Sequence, residues 1–495
     1  MRARTPADGS AFRDHLDAPR GLGDLVRSPH TGAAGGAPCG DLIRVSVRLE
    51  ADRVAEAGFQ ASGCAAARAA GSAAVELAEG ALLIDAALIS PEAIATELGG
   101  LSPAASHAAS LAADALHRAI GLAARDGQGT LSPCPDRTLV AMSGGVDSAA
   151  AAQLALDSGE QVVAVTLELW SDPGTDGDRS CCSPQAVLGA RALAHRMGIP
   201  HFTLDLREEF AAAVVDNFLD GYAGGATPNP CVRCNGLVRF DRMLALASRL
   251  GAARLATGHY ARIAHDGEGP LVRAGADPAK DQSYVLARLT GSDLERLRFP
   301  LGGLAKARVR ELAAAAGLPV AQKPDSQDLC FLAGTGGPAA FMSRHAMRRP
   351  ALVASSAGGD IVDREGRVLG RHRGHHGFTV GQRRGIGIAA PEPLYVLAKD
   401  ARRNRVVVGP RAGLAAREVA VAPAHLHRPG ASADSVRLRY HSPAVPCAVG
   451  GTPRPGAHGR LALALDREVR APAPGQTACL MRGELVVGWG TIADA

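Results

Sequence analysis

The sequence predicts a multidomain protein with an α+β module, a parallel-sheet α/β domain, a small central domain and a C-terminal β-barrel. Its 495 residues correspond to about three domains. Strand-like and helix-like segments alternate between residues 138 and 206, as in a parallel sheet covered by helices. Short strand-like stretches separated by turn residues fill residues 436–492, as in a small barrel. The expected domains are 1–130, 131–345, 346–412 and 413–495.

The composition excludes several classes of protein. With 54 Lys and Arg against 49 Asp and Glu, the chain is neither an acidic disordered segment nor a uniformly basic arm. No apolar run approaches the ~18 residues of a membrane-spanning helix, and the N-terminal stretch lacks the apolar segment of a signal peptide. We therefore expect a cytoplasmic protein with no membrane partner. Its ten cysteines indicate metal, sulfur or redox chemistry rather than a disulfide framework.

The N-terminal module combines one clear strand with alanine-rich helices. The first ~20 residues are expected to form a flexible tail. Apolar and polar residues alternate over Leu42–Leu49, which predicts a half-buried strand. Helical segments follow around Cys64–Glu79 and Pro103–Ala124. The polar, Gly- and Pro-containing residues 125–137 predict a linker.

The α/β domain opens with regular strand–helix alternation. Strands are predicted at Thr138–Met142, Gln161–Leu167 and Phe202–Leu206. Helices are predicted at Ser148–Ser158 and Pro184–Met197, and each is followed by a glycine. This alternation indicates a parallel sheet.

The C-terminal third changes character. Residues 360–388 are rich in Gly, Arg and His, so the central domain is expected to carry a basic surface for a phosphate backbone, although a solvated loop would have the same composition. Strands are predicted at Val436–Tyr440, Arg460–Asp466 and Glu484–Ile492.

A glycine-rich loop follows the first strand of the α/β domain and reads Ser143-Gly144-Gly145-Val146-Asp147-Ser148. Glycines let backbone N–H groups approach a phosphate, and the following helix N-terminus adds a partial positive charge. The loop lacks the GK[ST] of a Walker A motif. It resembles instead the loop of the N-type ATP pyrophosphatases, which cleave ATP between the α- and β-phosphates. The alternative is a glycine-rich turn capped by Ser148.

Three cysteines form the second chemical signal. Cys231 and Cys234 make a CxxC pair in a proline-rich loop, and Cys330 follows an acidic segment. Three thiolates can hold three irons of a [4Fe–4S] cluster and leave the fourth iron open for a sulfur ligand. Alternatively, Cys234 and Cys330 act as nucleophile and persulfide carrier. Cys330 alone could also be a small core residue.

Six strings in one order resemble the bacterial tRNA-uridine 2-sulfurtransferase family, MnmA, over about residues 136–495. They are SGGVDS, TPNPCVRCN, ATGHYAR, KDQSYVL, DSQDLCF and GFTVGQRRGIGI. The resemblance implies a Rossmann-like fold of the adenine nucleotide α-hydrolase type. It also implies that ATP with Mg²⁺ adenylates O2 of the wobble uridine in tRNA, and that a persulfide then replaces the oxygen with sulfur. A cysteine desulfurase or a sulfur-relay donor would supply that sulfur.

The resemblance also implies roles for individual residues, with Cys234 as nucleophile and Cys330 as persulfide carrier. The implied ATP contacts are Ala141, Met142, Ser143, Gly144, Gly145, Val146, Asp147, Ser148, Leu167 and Gly258. The implied tRNA contacts are Asn229, Pro230, Cys231, His259, Lys280, Asp281, Gln282, Arg439, Tyr440 and Gln476. Many family members carry Asp where this chain has Cys231, so a general base at this position is in doubt and a third thiolate favours the iron–sulfur alternative.

The chain has only four lysines, which makes each of them informative. Lys280 is a candidate for charge stabilisation near the ATP phosphates or tRNA. Lys306 and Lys323 lie in the same half of the chain, and the sequence leaves open whether they act there or on the surface.

Residues 20–124 resemble the IscU/NifU iron–sulfur scaffold family. Its metal ligands correspond to Cys39, Asp41, Cys64 and His107, which could hold zinc or iron. Ala108 stands where that family has a further cysteine, so the module could instead be a docking domain without metal. Two rival functions remain for the whole chain. One is an iron–sulfur carrier with a regulatory ATP domain; the other is an amide-forming ATP pyrophosphatase, which would not need paired cysteines.

Overall fold

The computed structural model describes residues 9–23, 28, 30–36, 40–127, 130–171, 183–325, 329–333, 335–345 and 349–494. Within these residues the chain forms an N-terminal module, an α/β domain, a small β domain and a barrel, as the sequence predicts.

The N-terminal module is a three-stranded antiparallel sheet with helices packed on one face. Its strands are β1 (His30–Gly35), β2 (Leu42–Glu50) and β3 (Arg53–Ser62), and its helices are α1 (Ser10–Asp17), α2 (Ala65–Ala78), α3 (Leu83–Ala86), α4 (Pro91–Glu97) and α5 (Ser106–Asp126). The predicted alternation in β2 is confirmed, because Ile43, Val45 and Val47 are fully buried. The sheet order is β1-β2-β3.

Two local expectations in this module are wrong. The expected N-terminal tail contains α1, which packs on α2 because His15 Nδ1 lies 2.9 Å from the Ser72 hydroxyl. The same hydroxyl accepts a hydrogen bond from the Arg20 backbone N–H at 2.9 Å. The expected linker at 125–137 is shorter, since α5 continues to Asp126 and the next strand begins at Cys134.

The α/β domain is built on a five-stranded, fully parallel sheet. The strands of this sheet are β4 (Cys134–Ala141), β5 (Gln161–Glu168), β6 (His201–Asp205), β7 (Ala252–Thr257) and β10 (Leu297–Arg298). The domain also contains β8 (Ala261–Asp266) and β9 (Gly269–Ala274). The order β10-β7-β4-β5-β6 places β4 at the centre, while β8 and β9 form a separate hairpin. The parallel sheet predicted from the sequence is confirmed.

Helices and tight turns connect these strands and lead into the next domain. The helices are α6 (Val146–Asp157), α7 (Pro184–Arg196), α8 (Arg207–Phe210), α9 (Asp216–Ala223), α10 (Pro230–Cys234), α11 (Phe240–Arg249), α12 (Gly291–Arg296), α13 (Lys306–Ala315), α14 (Pro338–His345) and α15 (Pro350–Ser355). Wide π-helical turns cover Ala211–Val215 and Asn235–Arg239, and a 3₁₀ turn covers Ser283–Leu286.

The small domain is a four-stranded sheet of order β12-β11-β14-β13. Its strands are β11 (Gly359–Val362), β12 (Val368–His372), β13 (Tyr395–Asp400) and β14 (Arg405–Gly409), with 3₁₀ turns at His375–Gly377 and Arg411–Leu414. In the predicted basic segment, His372 and His375 are buried and His376 is half-buried, whereas the exposed basic residues are Arg364, Arg367, Arg371, Arg373, Arg383 and Arg384. The basic surface therefore comes from arginines alone.

The C-terminal domain is a closed six-stranded barrel that is tied to the α/β domain. The six barrel strands are β15 (Ala415–Leu426), β16 (Ser435–Arg437), β17 (Val445–Val449), β19 (Leu461–Arg470), β20 (Thr477–Arg482) and β21 (Leu485–Ile492), with a 3₁₀ turn at Gly430–Ser432. The short strand β18 (Gly456–His458) pairs with β15 outside the closed order. The barrel closes in the order β15-β19-β17-β16-β20-β21, and β21 pairs back with β15. The hairpin β8–β9 extends from β21, where Asp266 accepts a hydrogen bond from Arg428 at 2.7 Å.

Among the described residues, no helix combines the length and apolar character needed to cross a membrane.

The N-terminal module packs against the edge strand β6, and one continuous hydrophobic core spans both parts. Three histidines lie at this junction, of which His117 and His201 are fully buried and His195 is partly buried. The His117 Nε2–H donates to the Ile89 carbonyl at 2.9 Å, and the His195 Nε2–H donates to the Ala87 carbonyl at 3.0 Å. His201 Nε2 lies 2.8 Å from the Thr166 hydroxyl. Burial lowers the pKa of all three imidazoles below the ordinary 6.5.

These three histidines predict an acid-sensitive junction. Because their pKa values are lower in the folded chain than in the unfolded chain, the unfolded chain takes up more protons as the pH falls below 6.5. The free energy of unfolding should then fall by about 1.4 kcal/mol per pH unit for each histidine. The His117→Gln variant should take up about one proton fewer on unfolding, so its free energy of unfolding should depend less steeply on pH. Denaturant unfolding between pH 5 and 7 measures this dependence. The exposed His265→Gln is the control, and an unchanged slope in His117→Gln would refute the account.

Candidate active site

The predicted phosphate loop lies between β4 and α6. Gly144 has a φ of +68°, a left-handed conformation that glycine adopts without steric cost. The Ser148 hydroxyl accepts a hydrogen bond from the Ser143 backbone N–H at 3.1 Å and donates one to the Gly145 carbonyl at 3.0 Å. The Ser148 side chain thus closes the loop on itself. The alternative of Ser148 as the helix N-cap is wrong, because α6 begins at Val146 and its N-cap is Gly145.

A cavity of about 210 Å³ opens at the carboxyl ends of the central strands. This is the edge where parallel α/β sheets bind ligands. The predicted ATP contacts that line it are Ala141, Met142, Ser143, Asp147, Ser148, Leu167 and Gly258. Gly144, Gly145 and Val146 belong to the loop but are not part of this lining. We call this space the nucleotide cavity.

A chain of ionic contacts links the phosphate loop to the segment that precedes Cys330. The Lys306 ammonium donates to both carboxylate oxygens of Asp147, at 2.7 and 2.8 Å, and lies 2.8 Å from Asp325. Lys280 donates to the other oxygen of Asp325 at 2.8 Å. Burial opposes ionisation of Asp325, but the hydrogen bonds from Lys280 and Lys306 outweigh it and lower the pKa of this carboxyl to about 2.

Further groups complete this cluster. The Tyr260 hydroxyl donates to Asp147 at 2.7 Å, and Lys323 donates to the Gly144 carbonyl at 2.9 Å. Burial and the Asp147 carboxylate raise the pKa of Tyr260, so its hydroxyl stays protonated and remains a donor. Lys306 and Lys323, which the sequence left open, both lie at the phosphate loop. Tyr260 and Asp325 were missed as individual site residues, although both lie within the quoted family strings.

A second cavity, of about 830 Å³, contains all three cysteines of the predicted sulfur site. Cys231, Cys234 and Cys330 line it, and Cys234 is the most deeply buried of the three. The predicted tRNA contacts in its lining are Asn229, Pro230, Cys231, His259, Gln282, Tyr440 and Gln476. We call this space the sulfur cavity.

The two cavities adjoin. Arg239, His259 and Gln282 line both of them. Burial and the nearby Arg239 lower the pKa of His259 to about 3, so its ring is neutral at neutral pH. A nucleotide in the first cavity and a base in the second can therefore meet beside an uncharged imidazole.

Local capping and the barrel hold the CxxC loop in place. The Asn229 side chain caps α10 by accepting from the Val232 N–H at 3.2 Å. The Gln476 amide of the barrel donates to the Thr227 carbonyl at 2.7 Å, and the Thr227 N–H donates to the Pro474 carbonyl at 2.7 Å. The barrel thus contributes to the sulfur cavity and supports its cysteine loop.

Other predicted tRNA contacts have partners within the chain. Asp281 is buried and accepts from the Gly275 N–H at 2.9 Å and from Arg437 of the barrel. Arg439 donates to the Ala471 carbonyl at 2.6 Å. The Asp281–Arg437 contact joins the α/β domain to the barrel, whereas the Lys280 and Arg439 contacts each lie within one domain. The tRNA contacts of these side chains stay predictions.

A separate cluster in the N-terminal module brings together Asp41, Cys64 and His107. Among the residues that the structure describes, they form the one group of three metal-binding side chains whose ligand atoms all lie within 4.8 Å of one another. His107 Nε2 lies 2.7 Å from Asp41, and the Cys64 thiol donates to the same carboxylate at 3.1 Å. The hydrogen bond between His107 and Asp41 lowers the pKa of the Asp41 carboxyl and raises the pKa of the His107 imidazole.

This cluster fits a metal by its chemistry and by its backbone. A carboxylate, a thiol and an imidazole are ligands of zinc and iron. Gly63 has a φ of +122°, and a Cβ there would lie 2.0 Å from an Asp41 oxygen, so only glycine leaves room for the carboxylate. The fourth predicted ligand, Cys39, lies outside the described residues. Cys231, Cys234 and Cys330 line one cavity but are not such a compact group, and their iron–sulfur role stays a prediction.

Family models match four parts of the chain. They are a NifU-like N terminal domain over residues 10–125, a tRNA methyl transferase HUP domain over 136–334, a tRNA methyl transferase PRC-barrel domain over 352–410 and an aminomethyltransferase beta-barrel domain over 420–492.

Relatives match the same regions. A bifunctional protein NifU/MnmA from Rubrobacter xylanophilus is 46% identical over 498 residues, which cover 98% of each chain. A tRNA-specific 2-thiouridylase MnmA from Magnetococcus marinus is 43% identical over 72% of this chain and 99% of the relative. One from Rhodospirillum centenum is 44% identical over 74% of this chain and 93% of the relative.

The packing of Gly258 against the phosphate loop predicts a specific binding defect. A Cβ at this position would lie 2.9 Å from the Asp147 carbonyl carbon and from the Ser148 nitrogen, so Gly258→Ala should displace the loop. ATP binding should weaken by about 1–3 kcal/mol, measured by equilibrium dialysis. Gly267→Ala, whose Cβ would meet nothing within 4 Å, should bind ATP normally. Equal affinities of the two variants would contradict this geometry.

Proposed function

The chain belongs to the family of bifunctional NifU/MnmA proteins, and we propose that it is a tRNA-uridine 2-sulfurtransferase that activates the wobble uridine with ATP before sulfur enters. The observation that carries the proposal is the adjacency of the two cavities. One contains the phosphate loop, the other contains the three cysteines, and Arg239, His259 and Gln282 belong to both.

In the first step, the uridine O2 attacks the α-phosphorus of ATP. Pyrophosphate leaves and the uridine loses its N3 proton, so that O2 becomes part of an AMP leaving group. The loop from Ser143 to Ser148 would hold the phosphates. Asp147 is the carboxylate of this loop, and it would bind Mg²⁺ that arrives with ATP in exchange for part of its contact with Lys306 and Tyr260. Lys306 and Lys323 lie at this loop and would stabilise the negative charge that develops on pyrophosphate.

In the second step, a persulfide on Cys330 attacks C2 and AMP leaves with the uridine oxygen. Cys234 then attacks the Cys330 sulfur, which releases the 2-thiouridine and forms a disulfide between the two cysteines. A cellular dithiol reductant must restore both thiols. Cys234 and Cys330 both line the sulfur cavity, as these two successive attacks require.

An iron–sulfur cluster is the alternative carrier of the sulfur. Cys231, Cys234 and Cys330 supply the correct donor chemistry, and a bound cluster would offer an open iron for a sulfide ligand. Cys231 would be a ligand in this alternative and a wall of the cavity in the persulfide mechanism.

The arginine surface of the small domain would bind the phosphate backbone of tRNA. Wobble-base chemistry requires the base to leave the anticodon stack and to enter a pocket. Tyr440 is 39% exposed and lines the sulfur cavity, so its ring is available for stacking on a base.

The N-terminal module would bind zinc or iron through Asp41, Cys64 and His107. Cys64 is exposed, so the cluster is accessible to a cysteine desulfurase or another sulfur-relay protein. The metal would fix the three side chains, and it has no part in the adenylation or sulfur transfer described above.

Cys330 should separate activation from sulfur transfer. The Cys330→Ser variant should bind ATP and release a single burst of pyrophosphate with tRNA, yet form no 2-thiouridine. Pyrophosphate and modified nucleosides would be measured in the same single-turnover reaction. Cys134→Ser, which alters a cysteine outside both cavity linings, should thiolate normally. Normal thiolation by Cys330→Ser would remove the persulfide role.

The N-terminal cluster should bind metal independently of thiolation. Zinc added to the full-length protein should bind in the intact cluster and be lost in Cys64→Ala, with Cys134→Ala as the matched control. Thiolation with polysulfide supplied as the sulfane-sulfur donor should stay within about twofold in Cys64→Ala, because the cluster lies outside both cavity linings. Undiminished zinc binding in Cys64→Ala would exclude this cluster as the metal site.

A further inference from the structure

Helix α5 joins the N-terminal module directly to the α/β domain. A Cβ at Gly121 would lie 2.3 Å from the Thr203 carbonyl oxygen, so the helix backbone touches strand β6. Near the end of the helix, Arg125 donates to the Asp205 carbonyl at 3.2 Å, and Arg249 of the α/β domain donates to the Ala124 carbonyl at 3.0 Å. This contact is part of a shared core and not a loose tether.

Four charged side chains alternate in sign across this contact. Arg118 of α5 donates to Asp114 at 3.0 Å and to Glu168 of β5 at 3.2 Å. Arg191 of α7 donates to the other oxygen of Asp114 at 2.9 Å. The Glu168 side chain is 2% exposed, and its ion pair comes from the N-terminal module. Two carboxylates and two guanidinium groups thus balance one another, one of each sign from each domain.

Glu168 lies between two residues that line the nucleotide cavity, although its own side chain is not part of the lining. Its sequence neighbours Leu167 and Leu169 both line that cavity. Because successive strand residues point to opposite faces, Glu168 faces away from the leucines and toward α5. Its backbone carbonyl also accepts the Leu206 N–H at 2.9 Å. Glu168 thus connects α5 to the end of β5, where Leu167 and Leu169 line the nucleotide cavity.

We propose that Arg118 of the N-terminal module is a positioning residue for ATP, which it orients through Glu168 and the end of β5. The proposal rests on the proposed function, because it assumes that ATP occupies the nucleotide cavity. Loss of the guanidinium would leave Glu168 as a buried carboxylate without its ion pair, and such a group reorganises its surroundings. The fused module thus acts on activation of the uridine.

The metal cluster and the Arg118 contact lie at different places on α5. His107 is in the first turn, and Arg118 is 11 residues further on, which is about 17 Å along the helix axis. Changes at the cluster should therefore leave ATP binding unaffected, and changes at Arg118 should leave metal binding unaffected.

The test is a double-mutant cycle in the full-length protein, with Arg118→Met, Glu168→Gln and the double variant. Equilibrium dialysis measures the Kd of ATP with Mg²⁺, and steady-state thiolation measures the KM for ATP and for tRNA separately. Arg125→Met is the matched control, because Arg125 lies on the same helix and also contacts the α/β domain, but it donates to the Asp205 carbonyl and not to Glu168. Thermal unfolding reports on folding of each variant.

Arg118→Met should raise the Kd and KM for ATP about tenfold and leave the KM for tRNA within about twofold. Glu168→Gln in the same chain should restore most of the ATP affinity, because it removes the unpaired charge. Arg125→Met should bind ATP like the parent protein. Unchanged ATP affinity in Arg118→Met, or equal losses in Arg118→Met and Arg125→Met, would overturn the proposal. A parent protein that binds no ATP would instead overturn the proposed function.

Discussion

The Lys306 ammonium holds the active site together, because it lies between two carboxylates from distant parts of the chain. It binds Asp147 of the phosphate loop and Asp325, which precedes the segment of Cys330. The low pKa of Asp325, about 2, keeps this contact charged at every physiological pH. The phosphate loop and the Cys330 segment are thus fixed relative to each other before any substrate binds, as a reaction that uses both in succession requires.

Domains outside the α/β fold complete the two cavities. The barrel supports the CxxC loop through Gln476 and Thr227, and it contributes Tyr440 to the sulfur cavity. The N-terminal module contacts the end of β5, which borders the nucleotide cavity, because Arg118 donates to Glu168. An enzyme that must hold ATP, a flipped base and a sulfur carrier in one place therefore draws on three packed domains, and each interface is also part of the active site.

The sequence predicted those features whose cause is local. The phosphate loop closes through Ser148, five residues from Ser143, and strand β2 alternates as its own residues require. Features that depend on distant partners could not be predicted. Helix α1 depends on Ser72, 57 residues after His15, and the position of Lys306 depends on Asp147, 159 residues earlier. The burial of Asp281 could not be predicted either, because its partner Arg437 lies in the barrel, far along the chain.

The transfer of the uridine oxygen to AMP tests the central claim most directly. A tRNA whose wobble uridine carries ¹⁸O at position 2 would be thiolated in ordinary water, and the released AMP would be analysed by mass spectrometry. If the uridine is adenylated at O2 and sulfur then displaces AMP, each AMP formed with a 2-thiouridine carries the label. Unlabelled AMP alongside normal thiolation would contradict adenylation of the base. It would also contradict the functional explanation of why the nucleotide cavity and the sulfur cavity adjoin.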